Sequence, residues 1–353
     1  MALPFLKSSA KQRDHIVAVD LGVRTTKAVY LQRRGSSYSL AGYTLQDAPI
    51  YEKSLSSEIL AEHLKQVLPA LGARTKQVIV ALGVNDAVVR QAELPMQGLP
   101  EMRQMLKFNS KGYLQQDYPA HVWDCYILPP KGEMGAEKKG VPKVKVLAGG
   151  VKQTLLNDVV AAVKAAGYNA DMVVPGLIGP INAFEVSMPE IFSKEVVALV
   201  EIGFKNTSIS ILSMGEMVLS RVVGIGGDKI TAGLAESKGI TYAEAEGIKI
   251  GIPEEVSAEL EPLLIPLGRE LRASIDFFEH QEDKTVSQVF VSGASASSDF
   301  IVQCLQNELM VPCKRWNPIS GLQLALSGEA LAMAESVAPK LAVAVGAAAS
   351  GMN

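Results

Sequence analysis

The chain has 353 residues, 48% of them hydrophobic and 20% charged, with a formal net charge of −3. That length exceeds one compact core and implies two or three domains, and the near-neutral balance with no basic stripe argues against a nucleic-acid binder. Cys125, Cys304 and Cys313 show no paired spacing, which argues against a disulfide framework and fits a reducing compartment. His121 and Cys125 stand four apart, but no second ligand pair follows them. The first twelve residues lack the apolar run of a secretory signal, and no continuous apolar segment long enough to span a bilayer is present. A soluble cytosolic protein is therefore expected.

In chain order, the alternating segments 16–20, 26–32 and 37–43 read as a meander of three strands, broken by turn signals at Gly22 and Gly35. Residues 56–71 place Ile59, Leu60, Leu64, Val67, Leu68 and Leu71 on one helical face, with Gly72 as the stop, and 77–82 reads as a buried strand. The composition shifts at Leu94-Pro95. A polar helix over 101–114, an extended stretch 122–128, a Lys/Gly-rich loop 129–142, a strand 144–150 and a helix 153–166 then read as a small inserted α+β module. Beyond it, 173–184 leads from a strand into a helix. The second half opens with a hairpin from 196, a strand 216–223 and a glycine turn leading into a helix to 237. Another helix follows from Thr241, then a long helix 263–279, a buried strand 287–292, a helix 299–309 and a closing Ala-rich helix 341–350.

One element occurs twice. Asp20-Leu-Gly22-x-x-Thr25-Thr26-Lys27 follows a buried apolar strand, and Glu201-Ile-Gly203-x-x-Asn206-Thr207 follows another. A strand-end carboxylate suits a hydrated magnesium ion, and a glycine turn carrying hydroxyls, amides and a lysine suits phosphate oxygens. The bland alternative for each copy alone is a solvated β-turn. Repetition at matching offsets instead predicts two similar lobes facing each other across a phosphate-binding cleft. Gly224-Ile-Gly226-Gly227 opens a helix, as anion-binding helix N-termini do, or is simply a tight turn. Glu246 and Lys249, three apart on one helix, read on their own as a surface ion pair. Phe290-Val-Ser292-Gly293 ends a buried strand in a small-residue turn that a flat ring could approach.

Taken in this order, these stretches resemble the actin, heat-shock chaperone and sugar kinase superfamily. Within it they most closely resemble the PilM family of actin-like pilus assembly proteins, relatives of the division protein FtsA. The resemblance runs from about Ile16 over nearly the whole chain. It includes Ser220-Arg221-x-x-Gly224-x-Gly226-Gly227-x-x-Ile-Thr231, the inserted module, and a long helix carrying Arg269-Glu270-Leu-Arg272-x-Ser-Ile-Asp276-Phe-Phe278. It implies an α/β, actin-like ATPase (ribonuclease H-like) fold. The implied division is lobe I at 1–94 and 169–195, a partner-binding module at 95–168, lobe II at 196–330, and a closing helix at 331–353 that returns to lobe I.

It further implies that Asp20 holds magnesium through water, with Glu201 as a second candidate. Gly22, Thr25, Thr26 and Lys27 would face the phosphates of ATP, opposite Gly203, Asn206 and Thr207. Gly226, Gly227 and Gly293 would approach the nucleotide, and Glu246 and Lys249 would contact its sugar and base. The implied role is a cytoplasmic scaffold, at most a weak ATPase, recruited to the inner membrane by gripping the cytoplasmic tail of a PilN-like protein. The groove for that tail would lie between lobe I and the module; other pilus assembly proteins and further copies of the chain are additional partners, and nucleic acid is not.

Two departures stand out. Glu201 replaces the aspartate usual at the second motif, and Ala294 follows Gly293 where a second glycine is usual. Its Cβ would cost on the order of 1–3 kcal/mol if it met the base unrelieved. A nucleotide-free adaptor of the same machine is thus the alternative. A sugar or acetate kinase is disfavoured because no substrate motif and no catalytic base stand out. An FtsA-like division protein is disfavoured because no amphipathic helix follows the closing helix.

Overall fold

The computed structural model describes residues 13–49, 56–129 and 142–352. The described residues fall into two compact units, one within Met1–Ser36, Gly42–Gly179 and Ala347–Asn353, the other within Ser37–Ala41 and Pro180–Gly346. The first twelve residues and most of the Lys/Gly-rich loop anticipated at 129–142 lie outside the described residues.

The first unit is built on β1 (His15–Asp20), β2 (Thr25–Arg34) and β3 (Ser37–Asp47), a meander whose β1–β2 register pairs Asp20 with Lys27. Helix α1 (Ser57–Val67) follows, its N-terminus held by the Ser56 hydroxyl accepting from the Ile59 amide. It buries Leu60, Leu64 and Val67. Strand β4 (Gln77–Leu82) then returns parallel to β1. The connection into β5 (Ala87–Pro95) is a turn in which the Asp86 amide donates to the Gly83 carbonyl at 2.9 Å. Strand β5 was not anticipated. Its alternation is imperfect, with Arg90 and Gln91 both exposed, and the visible composition shift comes only at its end.

The module therefore begins with β5. Helices α2 (Leu99–Phe108) and α3 (Ser110–Leu114) replace the single expected helix because Asn109 leaves helical geometry and caps Gly112 with its side chain. Strands β6 (His121–Ile127) and β7 (Lys143–Lys152) complete an antiparallel sheet in the order β5-β7-β6. Leu94, Met102, Leu106, Trp123, Val146 and Ala148 form its small core. Trp123 lies directly on Gly150, where a Cβ would stand 2.6 Å from the ring. Helix α4 (Gln153–Ala165) packs against α1, and β8 (Asn169–Pro175) runs parallel to β4, giving the order β3-β2-β1-β4-β8.

The second unit starts at α5 (Gly179–Ser187) and α6 (Pro189–Lys194). Residues 180–195 group here rather than with the first sheet. Phe184 stands edge-on to Phe290 at 4.7 Å and to Trp316 at 5.3 Å. Strands β9 (Val196–Ile202), β10 (Thr207–Ser213) and β11 (Glu216–Val223) repeat the meander. Helices α7 (Gly227–Lys238), α8 (Tyr242–Gly251) and α9 (Ser257–Glu282) follow. The α8 start is a reciprocal capping box between Thr241 and Glu244.

Helix α9 begins six residues earlier than Leu263 and continues past Pro262 and Pro266. Leu260, Leu264, Leu267 and Leu271 form one fully buried stripe that outweighs the lost amide bonds. Strand β12 (Gln288–Gly293) runs parallel to β9, α10 (Asp299–Leu309) covers it, and β13 (Cys313–Arg315) pairs parallel with β12. The order β11-β10-β9-β12-β13 matches the first sheet strand for strand.

The short β14 (Gln323–Leu324) pairs with Ser39 and Leu40 of β3, which belong to this second unit. Helices α11 (Gly328–Val337) and α12 (Ala342–Ala349) end the fold. One expectation is corrected here. Residues 328–349 form a helical stretch with mean hydropathy 1.4, long and apolar enough to cross a bilayer by length and composition. In the fold Leu341, Ala342, Ala344 and Val345 are fully buried, as in the core helix of a globular protein.

Phe184→Ala removes the ring that meets Phe290 and Trp316 and should cost about 3–5 kcal/mol. Urea unfolding followed by Trp316 fluorescence in a Trp123→Phe background measures the loss.

Candidate functional site

The first turn is fixed by close backbone packing. Asp20 ends β1 and is only 5% exposed. The Leu21 amide donates to the Ala81 carbonyl at 3.1 Å, tying the turn to β4. A side chain at Gly22 would collide with the Thr25 carbonyl and stand 2.8 Å from the Lys27 Nζ, so only glycine closes this turn. Directly opposite Asp20 in the ladder, the Lys27 ammonium donates to the Asp20 carboxylate at 2.9 Å.

Strand alternation puts Thr25 and Lys27 on one face and Thr26 on the other. Thr26 is 1% exposed, and its hydroxyl shares a 2.8 Å hydrogen bond with Nε2 of His63 on α1. The expectation that its hydroxyl faces phosphate is corrected: the β-pleat turns it into the core. Burial holds the His63 pKa below the usual imidazole value.

The second turn has the same backbone shape. The Gly203 amide donates to the Asn206 carbonyl at 2.9 Å, and a Cβ at Gly203 would stand 2.8 Å from that oxygen. Thr207, the counterpart of Thr26, is also fully buried, and its hydroxyl donates to the Ile225 carbonyl at 2.6 Å. It too is turned away from a phosphate. Glu201 differs from Asp20: its carboxylate accepts the proton of the buried Ser292 hydroxyl, from the residue paired with it on β12.

The start of α7 also departs from expectation. The Gly227 amide donates to the Gly203 carbonyl and the Asp228 amide to the Phe204 carbonyl, both at 2.9 Å. A Cβ at Gly226 would lie 2.6 Å from the Lys205 carbonyl carbon and 2.7 Å from the Asn206 nitrogen. Gly226 is therefore required by turn-on-helix packing, and two of the first amides of α7 are already satisfied by the hairpin. Gly293, with φ of +94°, likewise meets protein: a Cβ there would stand 2.8 Å from the Ile202 carbonyl carbon. Ala294, in contrast, is exposed.

Where α7 meets α8 the polar groups converge. Lys249 is 1% exposed, so it is no surface ion-pair partner. Its ammonium donates to the Thr231 hydroxyl oxygen at 2.6 Å and to the half-exposed Glu246 carboxylate at 2.7 Å. The Thr231 hydroxyl in turn stands 2.9 Å from the Gly227 carbonyl and 2.5 Å from Glu246. Burial lowers the Lys249 pKa, opposed by the Glu246 charge. Beside this network the Tyr242 hydroxyl donates to Asp228 at 3.0 Å, and burial together with that bond pushes its pKa up to about 12.

Gly227 packs beside this network. A Cβ there would be 2.7 Å from the Ser295 Oγ and 3.6 Å from the Lys249 Nζ. Ser295 and His63 were missed by sequence reasoning. A serine in a small-residue turn and a histidine inside an amphipathic helix carry no spacing signal.

Among the described residues no three His, Cys, Asp or Glu side chains gather as a metal cage. A magnesium ion that keeps most of its waters needs only one or two carboxylates plus phosphate oxygens, and Asp20 beside the Thr25–Lys27 turn fits that role. An ammonium whose acceptors among the described residues are Thr231 and Glu246, next to a glycine helix start and a serine hydroxyl, fits the acceptor-rich sugar of a nucleoside.

A family model described as Type IV pilus assembly protein PilM matches residues 18–352. The chain belongs to that family. A solved PilM-PilN type IV pilus biogenesis complex superposes with a TM-score of 0.82 at 20% identity, covering 97% of this chain and 100% of that one. The ethanolamine utilization protein EutJ of Carboxydothermus hydrogenoformans gives 0.56 at 14% identity, over 97% and 92% of the two chains. MreB5 of Spiroplasma citri bound to ADP gives 0.50 at 12% identity, over 88% and 95%. These likenesses establish the actin-like fold that the family resemblance implied.

Gly226→Ala should lower stability by at least about 1–3 kcal/mol through overpacking. Gly247→Ala, on a helix with nothing near its Cβ position, should raise it by about 0.5–1 kcal/mol. Urea midpoints of the two variants distinguish packing from glycine entropy. For His63, the unfolded chain takes up a proton as pH falls below about 6.5 while the buried native imidazole stays neutral. Stability should therefore fall as pH drops from about 6.5 towards the native value, and His63→Gln should flatten that part of the melting-temperature profile.

Proposed function

We propose that the chain is a cytoplasmic, actin-like scaffold of type IV pilus assembly that binds ATP with magnesium and grips the cytoplasmic tail of a PilN-like inner-membrane protein. The observation that carries this reading is the family match over residues 18–352. The likeness to a PilM chain solved in complex with PilN supports the partner. In the first unit, Thr25 and Lys27 would answer phosphate oxygens and Asp20 a hydrated magnesium ion. In the second, Asn206 would answer phosphate, and Thr231, Glu246 and Lys249 would hold the sugar and base. The ion would supply charge neutralisation of the phosphates; the residues themselves supply orientation.

The inserted module is the partner-binding part in this reading. It leaves Met96, Leu99 and Phe108 exposed at 57%, 40% and 78%. Pro100, Gln104, Met105, Phe108 and Tyr113 line a groove of about 610 Å³ on it. Apolar exposure on a small domain supports a contact with an apolar peptide.

Thermal melting with Mg-ATP, alongside titration with a peptide from the cytoplasmic tail of a PilN-type protein, tests the proposal. Mg-ATP should raise the melting temperature, by the equivalent of about 2.7 kcal/mol at a hundredfold excess over Kd. Thr231→Val, which removes one of the two acceptors of Lys249, should shrink that shift. Peptide binding without any nucleotide shift identifies the pure adaptor, and absence of both overturns the proposal.

A further inference from the structure

The module carries a surface where apolar exposure and unpaired charge coincide. Helix α2 ends at Phe108, and the Lys107 ammonium stands 5.7 Å from the centre of its ring. Lys111 follows on α3, beyond the break at Asn109. Both lysines are exposed, and neither has a carboxylate partner among the described residues. Glu101, a carboxylate of the same groove, lies towards the other end of α2, turned back over Gly98. A purely apolar ligand would leave both ammoniums without counter-charge. The Phe108 end of α2 therefore fits a surface that is apolar and acidic at once.

The second unit of the chain has such a surface. Between residues 244 and 261 stand six glutamates and one lysine, Lys249, which is buried. Helix α8 ends at Gly251, and Ile252 beyond it is 45% exposed. A 3-10 turn, Pro253–Val256, then leads into α9. Its threefold repeat turns Pro253 and Val256 inward and Glu254 and Glu255 outward. Glu259 pairs with Lys238 at 3.0 Å, whereas Glu254, Glu255 and Glu261 are exposed with no cation partner among the described residues. An apolar side chain beside unpaired carboxylates is the complement of an apolar ring beside unpaired lysines.

We propose that the Phe108 end of the module docks the α8–α9 corner of a second copy of this chain. Phe108 meets Ile252, and Lys107 and Lys111 face Glu254 and Glu255. The two surfaces differ, so the contact is head-to-tail. Each joined pair leaves one module and one corner unused, and further copies can add. The contact is independent of the nucleotide reading. It leaves Met96 and Leu99, towards the other end of a helix about 15 Å long, to the tail peptide of the proposed function.

The test is sedimentation of the full chain over a range of concentrations, with circular dichroism to verify that each variant is folded. The parent should associate, and more weakly as salt rises. Lys107→Glu/Lys111→Glu and Glu254→Lys/Glu255→Lys should each weaken association at least about tenfold. Mixing these two variants should restore it, because every module then meets a corner of opposite charge. All four substitutions in one chain should restore it as well. Phe108→Ser, which leaves the charge alone, should weaken it about tenfold. A parent that stays monomeric at every concentration overturns the inference. So does association that the module variant abolishes and the corner variant leaves untouched, which would mark a module-to-module contact. Titration with the PilN-type tail peptide separates the two readings. Peptide binding that Lys107→Glu/Lys111→Glu abolishes, in a chain that does not associate, gives this face to the tail and overturns the inference alone. Association with the charge-swap pattern but without peptide binding upholds the inference while the tail reading falls.

Discussion

Both units depend on one steric constraint. A carboxylate ends the central strand, and the glycine two residues later is pressed against a carbonyl three residues further on, at Thr25 in one unit and Asn206 in the other. No Cβ fits at either glycine, so the reversal has a single compact form. The form fixes which residues of the outgoing strand face inward. Thr26 and Thr207 are driven into the core, while Thr25, Lys27 and Asn206 stay on the open side. In the second unit the constraint propagates: Gly203 and Phe204 offer their carbonyls to the first amides of α7, and Gly226 can approach only because it too lacks a side chain. The position of Thr231, and through it Lys249, is thus set by a turn far away in sequence.

The sequence made the architecture legible because the repeat combines two independent signals, period-two apolar strands and a glycine at a fixed distance from an acid. The two meanders followed from that, while the inserted module was legible from the composition shift at Leu94-Pro95 and the elements after it. What stayed illegible has local causes. Strand β5 hides its alternation behind Arg90 and Gln91, and Asn109 breaks a helix whose apolar periodicity continues across it. Prolines 262 and 266 masked the first turns of α9, where a leucine stripe decides the outcome.

The site was legible as a set of positions but not as directions. Alternation along β2 assigns Thr26 to the opposite face from Thr25, yet a motif read as a string treats two adjacent threonines alike. Gly226 and Gly293 illustrate the same limit. A glycine is demanded by close approach, and the sequence cannot say whether the approaching atoms belong to a ligand or to the chain; here they are the backbone of Phe204–Asn206 and of Ile202. Lys249 shows the converse. A spacing that ordinarily gives a solvated pair instead buries the ammonium completely, because the α7–α8 packing supplies Thr231 as a second acceptor.

These assignments narrow what is left to meet a ligand. The hydroxyls of Thr26 and Thr207, the leading amides of α7 and the Glu201 carboxylate all have protein partners, so they shape the turns rather than wait for an anion. Thr25 and Lys27 in one unit and Asn206 in the other stay partly exposed, while Ser295 and Lys249 flank the start of α7. The two lysines differ in kind. Lys249 is held by two acceptors with no outward route and can only donate from where it is. Lys27 pairs with the Asp20 carboxylate at 2.9 Å on a partly exposed stem. The duplicated hairpin has therefore kept its backbone in both copies while the group facing the acid differs, Lys27 in the first and Ser208 in the second.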